Sequence, residues 1–229
     1  MTGDYYQFPQ GRVAALDLDK DFPPLNQALT EPNGLLAIGG DLSIHRLISA
    51  YQQGIFPWFS DGEPVLWWSP NPRMVLVPKQ LKISKSLSKR IKKKDYEIRF
   101  NTGFRKVMEY CASTKRLGQD GTWITESIID AYCALQEAGL AMSAETWIDN
   151  QLVGGLYGVK LGHMFYGESM FHHVTDASKI AFVHMVQHLE SIGIELIDCQ
   201  MKTSHLSSFG AKEISRDDFI SQLEKLINA

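Results

Sequence analysis

Residues 141–169 read AMSAETWIDNQLVGGLYGVKLGHMFYGES. Three apolar runs lie inside this stretch, at 141–148, 152–159 and 163–169. Asp149-Asn150 and Leu161-Gly162 separate them, and such pairs favour tight turns. The stretch therefore reads as three consecutive antiparallel strands. On its N-terminal side, Thr125 caps a helix with Ile129, Tyr132, Cys133 and Gln136 on one face, closed by Gly139. On its C-terminal side, Asp176 caps a helix with Phe182, Met185, Val186 and Leu189 at helical spacing, stopped by Gly193. A strand follows at 194–199. Ser215 and Asp218 then form a capping box for a last helix carrying Phe219, Leu223, Leu226 and Ile227. Helix, three strands, helix, strand predicts an α+β domain with a mainly antiparallel sheet flanked by helices. Its last strand is expected to add in parallel through the helix crossover.

The chain before this domain reads differently. Residues 1–35 are rich in Pro, Gly and polar side chains and are expected to wrap over another part of the molecule. Ser43 caps a helix with Leu47, Ile48 and Tyr51 on its apolar side, and Gly54 ends it. Phe56, Pro57, Trp58, Phe59, Trp67, Trp68, Pro70 and Pro72 then crowd a stretch with too many breakers for a long helix, which reads as a compact loop and short-strand region. A boundary near Asn71 divides the chain into a small N-terminal domain, 1–71, and a larger domain, 72–229.

With 229 residues, 44% of them apolar and 21% charged, the chain has enough apolar material for a sizeable core. Three cysteines, Cys111, Cys133 and Cys199, lack paired spacing and leave one over, which points to a reducing compartment. No signal-peptide pattern follows Met1 and no apolar run is long enough to span a membrane, so a soluble cytoplasmic protein is expected.

The net charge of -3 conceals a strongly basic segment. From Pro78 to Lys94 there are eight Lys or Arg and no acid. Ile83, Leu87 and Ile91 recur every four residues and give the segment an apolar seam. Lys85, Lys89, Lys92 and Lys93 share another face. Cations without counter-charges suit phosphates, whereas an ordinary solvated helix face usually mixes its signs.

Further side chains carry possible chemistry. Phe56, Trp58, Trp67, Trp68 and Trp123 can stack on a base or enclose an apolar group, as well as pack a core. Asp198 interrupts an apolar strand, which is costly unless its carboxylate has partners or a task. On a regular strand Gln200 would share its face. Asp198 is then a proton acceptor, directly or through Gln200, or else a hydrogen-bonded structural acid. Glu168, between Phe165 and Phe171, suits a cationic group or is an exposed strand-end acid. His163, His172 and His173 lack a second spaced set, so no metal is expected. The pairs Gly39-Gly40 and Gly154-Gly155 match neither a P-loop nor a dinucleotide fingerprint.

Seven segments, EPNGLLAIGGDLS (31–43), GIFPWFS (54–60), LWWSP (66–70), GTWIT (121–125), LVGGLYGV (152–159), GESMF (167–171) and LIDCQ (196–200), resemble bacterial leucyl/phenylalanyl-tRNA–protein transferases in that order. The resemblance runs from about Phe22 to Phe219. It implies a C-terminal domain of the acetyltransferase-like (GNAT-type) fold. It also implies transfer of leucine or phenylalanine from charged tRNA to proteins beginning with Arg or Lys, marking them for degradation by the N-end rule. No cofactor is implied, because the aminoacyl-tRNA is itself a substrate. Asp198 and Gln200 match the catalytic positions. Glu168 matches the place of the acceptor's cationic side chain or amine. Phe56, Trp58, Trp123, Tyr132, Phe165, Ser169 and Met170 match the pocket for the terminal adenosine and the amino-acid side chain. The family's tRNA-binding cluster falls on Lys85, Lys89, Lys92 and Lys93. Asn71, Met142 and Phe209 depart from the family's usual Asp, His and Leu.

Two other readings compete. An acetyl-CoA acetyltransferase on the same fold needs a glycine-rich pyrophosphate loop, but MFHHVT (170–175) contains no glycine. A non-enzymatic RNA-binding module would explain the lysines and leave the Asp-x-Gln pair without a reason.

Overall fold

The computed structural model describes residues 5–114 and 122–228. Residues 1–4 of the N-terminal stretch and Gly121 of the GTWIT segment lie outside them. The N-terminal unit contains β1 (Tyr5–Phe8), β2 (Gly11–Leu16), β3 (Leu35–Gly39), α1 (Ile44–Gln52), β4 (Phe56–Pro57) and β5 (Leu66–Trp68). These strands form one sheet in the order β1-β2-β3-β5-β4, with only β2 and β3 parallel. The stretch expected to wrap over the molecule is thus partly strand. Its apolar residues, Val13 and Ala14, then Leu35 to Ile38, were too few in each run to stand out among the prolines and glycines.

The second unit opens with β6 (Arg73–Leu76), α2 (Lys85–Lys92), β7 (Glu97–Phe100), α3 (Phe104–Ser113) and α4 (Glu126–Glu137). It continues with β8 (Ala141–Ile148), β9 (Gln151–Leu161), β10 (Met164–His172) and α5 (Ala177–Ser191). Last come β11 (Leu196–Gln200), α6 (Ser204–Ser208), β12 (Lys212–Ile214) and α7 (Arg216–Ile227). The sheet order is β12-β6-β11-β10-β9-β8-β7, antiparallel except for β10 and β11. The architecture is mixed α/β with two mostly antiparallel sheets.

Local chemistry sets this topology. Asp149 and Asn150 take φ of 49° and 59°, the angles of a two-residue turn whose twist matches the flanking strands. The Ser215 side chain accepts from the Asp218 N–H and caps the helix as expected; the return bond to the Asp218 carboxylate comes from the Ser215 hydroxyl, not from the backbone N–H that a capping box uses. Asp176, by contrast, makes no side-chain cap for α5; it takes φ 65° and its carboxylate pairs with Lys179. Glycines 154 and 158 have steric reasons. A Cβ on Gly154 would lie 2.5 Å from the Ala177 Cβ, so the N-terminus of α5 rests directly on β9. A Cβ on Gly158 would lie 2.2 Å from the Tyr166 carbonyl oxygen.

Helices α5 and α2 cover one face of the large sheet. The opposite face packs on α3, α4 and α7, and in the same apolar cluster lie Leu36, Leu47, Tyr51, Phe56 and Trp67 of the N-terminal unit. The two units therefore share one core. On α2, Leu87 is buried and Ile91 half-buried, as the seam required. Ile83 is not part of that seam: the helix starts after the cap Ser84, leaving Ile83 37% exposed.

Candidate active site

The parallel strands β10 and β11 pair at Met164 with Leu196, Phe165 with Ile197 and Tyr166 with Asp198. Beyond these pairs both are irregular. The register of β10 against β9 shifts between Gly167 and Ser169, leaving Glu168 as the extra residue. The register of β11 against β6 shifts between Asp198 and Gln200, and Gln200 takes φ 61°. A bulge bends its strand and re-aims the side chain it carries. A cavity of about 420 Å³ opens where the two strands part. Leu156, Phe165 and Ile197 of the sheet and Met185, Val186 and Leu189 of α5 line its apolar part. Phe56, Trp58 and Trp123 line it too, with Ser169, Met170, Glu168 and Gln200. The Trp68 indole N–H donates to the Trp58 carbonyl at 2.7 Å, so β5 fixes the segment carrying Trp58.

Glu168 is the acid that lines this cavity. It accepts from the Tyr51 hydroxyl at 2.8 Å, the Gln200 side-chain amide at 3.2 Å and the Tyr132 hydroxyl at 3.4 Å. The two phenol oxygens also hydrogen-bond to each other. Burial pushes the carboxyl up to about 7; the Tyr51 bond opposes this, the Asp198 charge adds to it, and the Gln200 and Tyr132 bonds oppose it. Burial also holds both phenols well above the usual tyrosine range, so they remain donors at neutral pH. Between the ordinary 4.5 and about 7 the native carboxyl keeps a proton that the unfolded chain has released. Stability therefore falls as pH rises through that window. Glu168→Gln is expected to stabilise the fold by about 2–3 kcal/mol at pH 8 and to leave it unchanged below pH 4.5. Thermal melts at the two pH values check this; equal melting shifts at both would show that the carboxyl is not destabilised by burial.

Asp198 lies on the other side of the strand from the cavity. It is 0% exposed. Its two oxygens accept from Arg73 Nε at 2.8 Å and Arg73 Nη2 at 2.6 Å. Oδ1 also accepts the Gln200 backbone N–H at 2.8 Å. The expectation that Asp198 and Gln200 share a face fails because the bulge breaks the two-residue alternation. The Asp198 carboxylate is enclosed and bound twice by the Arg73 guanidinium, so it does not itself face the cavity. Its link to the cavity runs through the Gln200 backbone N–H that it holds. Arg73 itself is 1% exposed. It donates to the Gly54 carbonyl at 3.0 Å and lies between the rings of Phe56 and Phe219, 4.9 and 4.7 Å from their centroids.

Two family models cover the chain: the leucyl/phenylalanyl-tRNA protein transferase N-terminal domain at residues 40–71, and leucyl/phenylalanyl-tRNA protein transferase at residues 75–224. The chain belongs to the leucyl/phenylalanyl-tRNA protein transferase family. A relative of that name from Nitrosospira multiformis is 60% identical across 93% of this chain and 91% of its own. Another from Chromobacterium violaceum is 60% identical across 89% and 87%. Among solved structures, a GCN5-related N-acetyltransferase from Kribbella flavida is 8% identical, with a TM-score of 0.41 over 73% of this chain and 60% of that one.

Phe56, Trp58, Trp123, Phe165, Ser169 and Met170 meet at the cavity. Tyr132 does not line it: at 0% exposure it stands behind Glu168, reaching the site only through its hydroxyl. Lys85, Lys89, Lys92 and Lys93 are exposed on α2 and its C-cap, with no ion pair among the described residues. Arg90 of the same segment pairs with Asp95 instead. Of the departures from the family's usual residues, Asn71 accepts the Arg216 backbone N–H at 3.0 Å and Phe209 stacks on the cavity residue Phe182 at 4.7 Å. Among the described residues no group of three or more His, Cys, Asp or Glu could hold a metal, and no helix is long and apolar enough to cross a membrane. Sequence reasoning missed Tyr51 and Arg73. Tyr51 looked like one more apolar position of α1. Arg73 did carry a signal, as a charge opening the otherwise apolar run RMVL.

Proposed function

We propose that this chain moves leucine or phenylalanine from charged tRNA to the α-amino group of proteins that begin with Arg or Lys. The observation that carries this reading is Glu168, a carboxylate bound by three donors beside an apolar cavity. The cavity takes the apolar side chain of the transferred amino acid. Each missing methylene costs only about 1–3 kcal/mol, so methionine is tolerated. The ester linking the amino acid to the terminal ribose is already activated, and no cofactor is invoked. The setting is the cytoplasm, where charged tRNA is available, and the product is a protein marked for degradation by the N-end rule.

The acceptor amine has a pKa of about 7.7–8.0, so a useful fraction is neutral. It attacks the ester carbonyl, forming the new C–N bond and a tetrahedral intermediate whose nitrogen carries an extra proton. Glu168 accepts that proton. As the C–O bond to the ribose breaks, the protonated Glu168 returns it to the leaving ribose oxygen. Gln200 orients the reacting groups, and Asp198 acts by holding Gln200. Alignment of amine and ester supplies much of the rate. The deciding assay mixes phenylalanyl-tRNA labelled in the amino acid with an Arg-starting protein. Label on the protein's N-terminus supports the proposal; acetylation of the same protein from acetyl-CoA, without label transfer, overturns it.

Lys85, Lys89, Lys92 and Lys93 are assigned to tRNA phosphates. Lysine reads charge rather than base edges, so these four give affinity without choosing among tRNAs. Each phosphate contact contributes roughly 0.7–0.9 to the slope of log affinity against log salt. Replacing all four with Ala is expected to flatten that slope by about three and to weaken every tRNA alike. The preference for leucine and phenylalanine stays. An unchanged slope would reduce the lysines to a solvated face.

A further inference from the structure

The acid at the heart of the proposed site takes its shortest hydrogen bond from the N-terminal unit. Tyr51 of α1 reaches it across the shared core. Its position is fixed at two points. The Tyr166 hydroxyl donates to the Tyr51 carbonyl at 2.9 Å, and the two rings lie 4.8 Å apart. Each phenol has one proton to give. Tyr51 gives its proton to Glu168 Oε1, so Tyr132 gives its own either to Tyr51 or to the more distant Glu168 Oε2.

The other groups facing Glu168 are few. From β11, Gln200 supplies one amide N–H. Asp198 supplies a like charge, and Arg73 of β6 binds that charge from behind. No lysine or arginine pairs with Glu168 among the described residues. The negative form of the carboxylate is therefore supported by neutral donors: two phenols and one amide. Neutral donors favour the charged form without pairing it so strongly that it stops accepting a proton.

We infer that Tyr51 is a positioning residue for the transfer: its hydroxyl, delivered by the N-terminal unit, keeps the Glu168 carboxylate ionised and aimed, with Tyr132 as the second donor behind it. The inference rests on the reading of Glu168 as the amine's proton acceptor. It gives the N-terminal unit a chemical part in the reaction besides lining the cavity with Phe56 and Trp58.

The test is the pH profile of kcat/KM for transfer from phenylalanyl-tRNA to an Arg-starting peptide. Tyr51→Phe removes one oxygen and keeps the ring. Losing a donor to the ionised form raises the proton affinity of Glu168. The acid limb has two steps, one from the acceptor amine at about 7.7–8.0 that every variant shares, and a lower one from Glu168. The lower step should move up by roughly half to one pH unit, with the alkaline plateau near the parent's. Tyr132→Phe should move it the same way by less, since its bond is longer. A role in packing alone would lower the rate at every pH and leave the limb in place, and that result overturns the inference. Glu168→Gln separates the two readings. If it removes the lower step and leaves the amine's, while Tyr51→Phe leaves that lower step unmoved, only the role of Tyr51 fails. If Glu168→Gln retains both steps of the parental limb, Glu168 is not the second titrating group and both readings fall.

Discussion

Glu168→Gln is expected to slow transfer by roughly 10²–10⁴-fold, the usual contribution of a positioned proton acceptor. The amide keeps the shape of the carboxyl and can still accept from Tyr51, so the cavity should stay intact. It cannot take the proton that the attacking amine must lose. Binding of charged tRNA should be almost unchanged, because nothing on α2 or in the apolar part of the cavity is altered. The fall belongs in kcat as well as in kcat/KM, as for an interaction made only in the transition state. What remains should follow the ionisation of the acceptor amine alone. A single-turnover measurement with saturating charged tRNA isolates the chemical step. Near-parental turnover there would remove Glu168 from the chemistry and leave alignment to explain the rate. A parallel loss of tRNA affinity would place Glu168 against the nucleotide instead.

The second large effect is expected at Arg73. Arg73→Met leaves the buried Asp198 without its counter-charge, and breaking one side of a buried ion pair costs about 3–5 kcal/mol. That is a large part of the stability of an ordinary domain. It also takes the donor from the Gly54 carbonyl and the cation from between Phe56 and Phe219. The double variant Arg73→Met with Asp198→Leu removes both charges and should recover much of the stability, since apolar groups often replace a buried pair without loss. It should not recover transfer. The Gln200 N–H would have lost the carboxylate oxygen that holds it at 2.8 Å, and with it the turn that aims the side-chain amide at Glu168. Denaturant melts beside transfer assays decide the matter. A double variant as active as the parent would show that the pair serves the fold and not the placement of Gln200. Parental stability in Arg73→Met alone would contradict the buried pairing itself.

The fold was legible where periodicity was long. The three-stranded meander and the helix after it follow from long runs with clear turns, and the short parallel strand follows from its place just after that helix. Of the other short strands, β4 and β5 fall in the stretch expected to form loops and short strands, whereas β1 to β3, β6 and β7 were not legible, because four to six residues carry too little pattern. The site was legible as residue types and misread as geometry. Glu168, Gln200 and Asp198 were all singled out, but a strict two-residue alternation placed Asp198 beside Gln200 on the working face. Bulges obey tertiary fit and leave no mark in a single sequence. Tyr51 could not be found at all from its own helix, since its task comes from a carboxylate 117 positions away.

The core common to both units has a consequence for how the gene could be divided. A break near Asn71 would put Tyr51, Phe56 and Trp58 on one polypeptide and Glu168, Gln200, Asp198 and Arg73 on the other. Neither half could run the reaction, because the carboxylate would lack its principal donor and Arg73 its Gly54 and Phe56 partners. Each half would also display the apolar surface that the other now covers, an invitation to aggregate. Co-produced, the halves would have that same surface with which to find each other. On this reading, the halves would be silent apart and active only on reassembly.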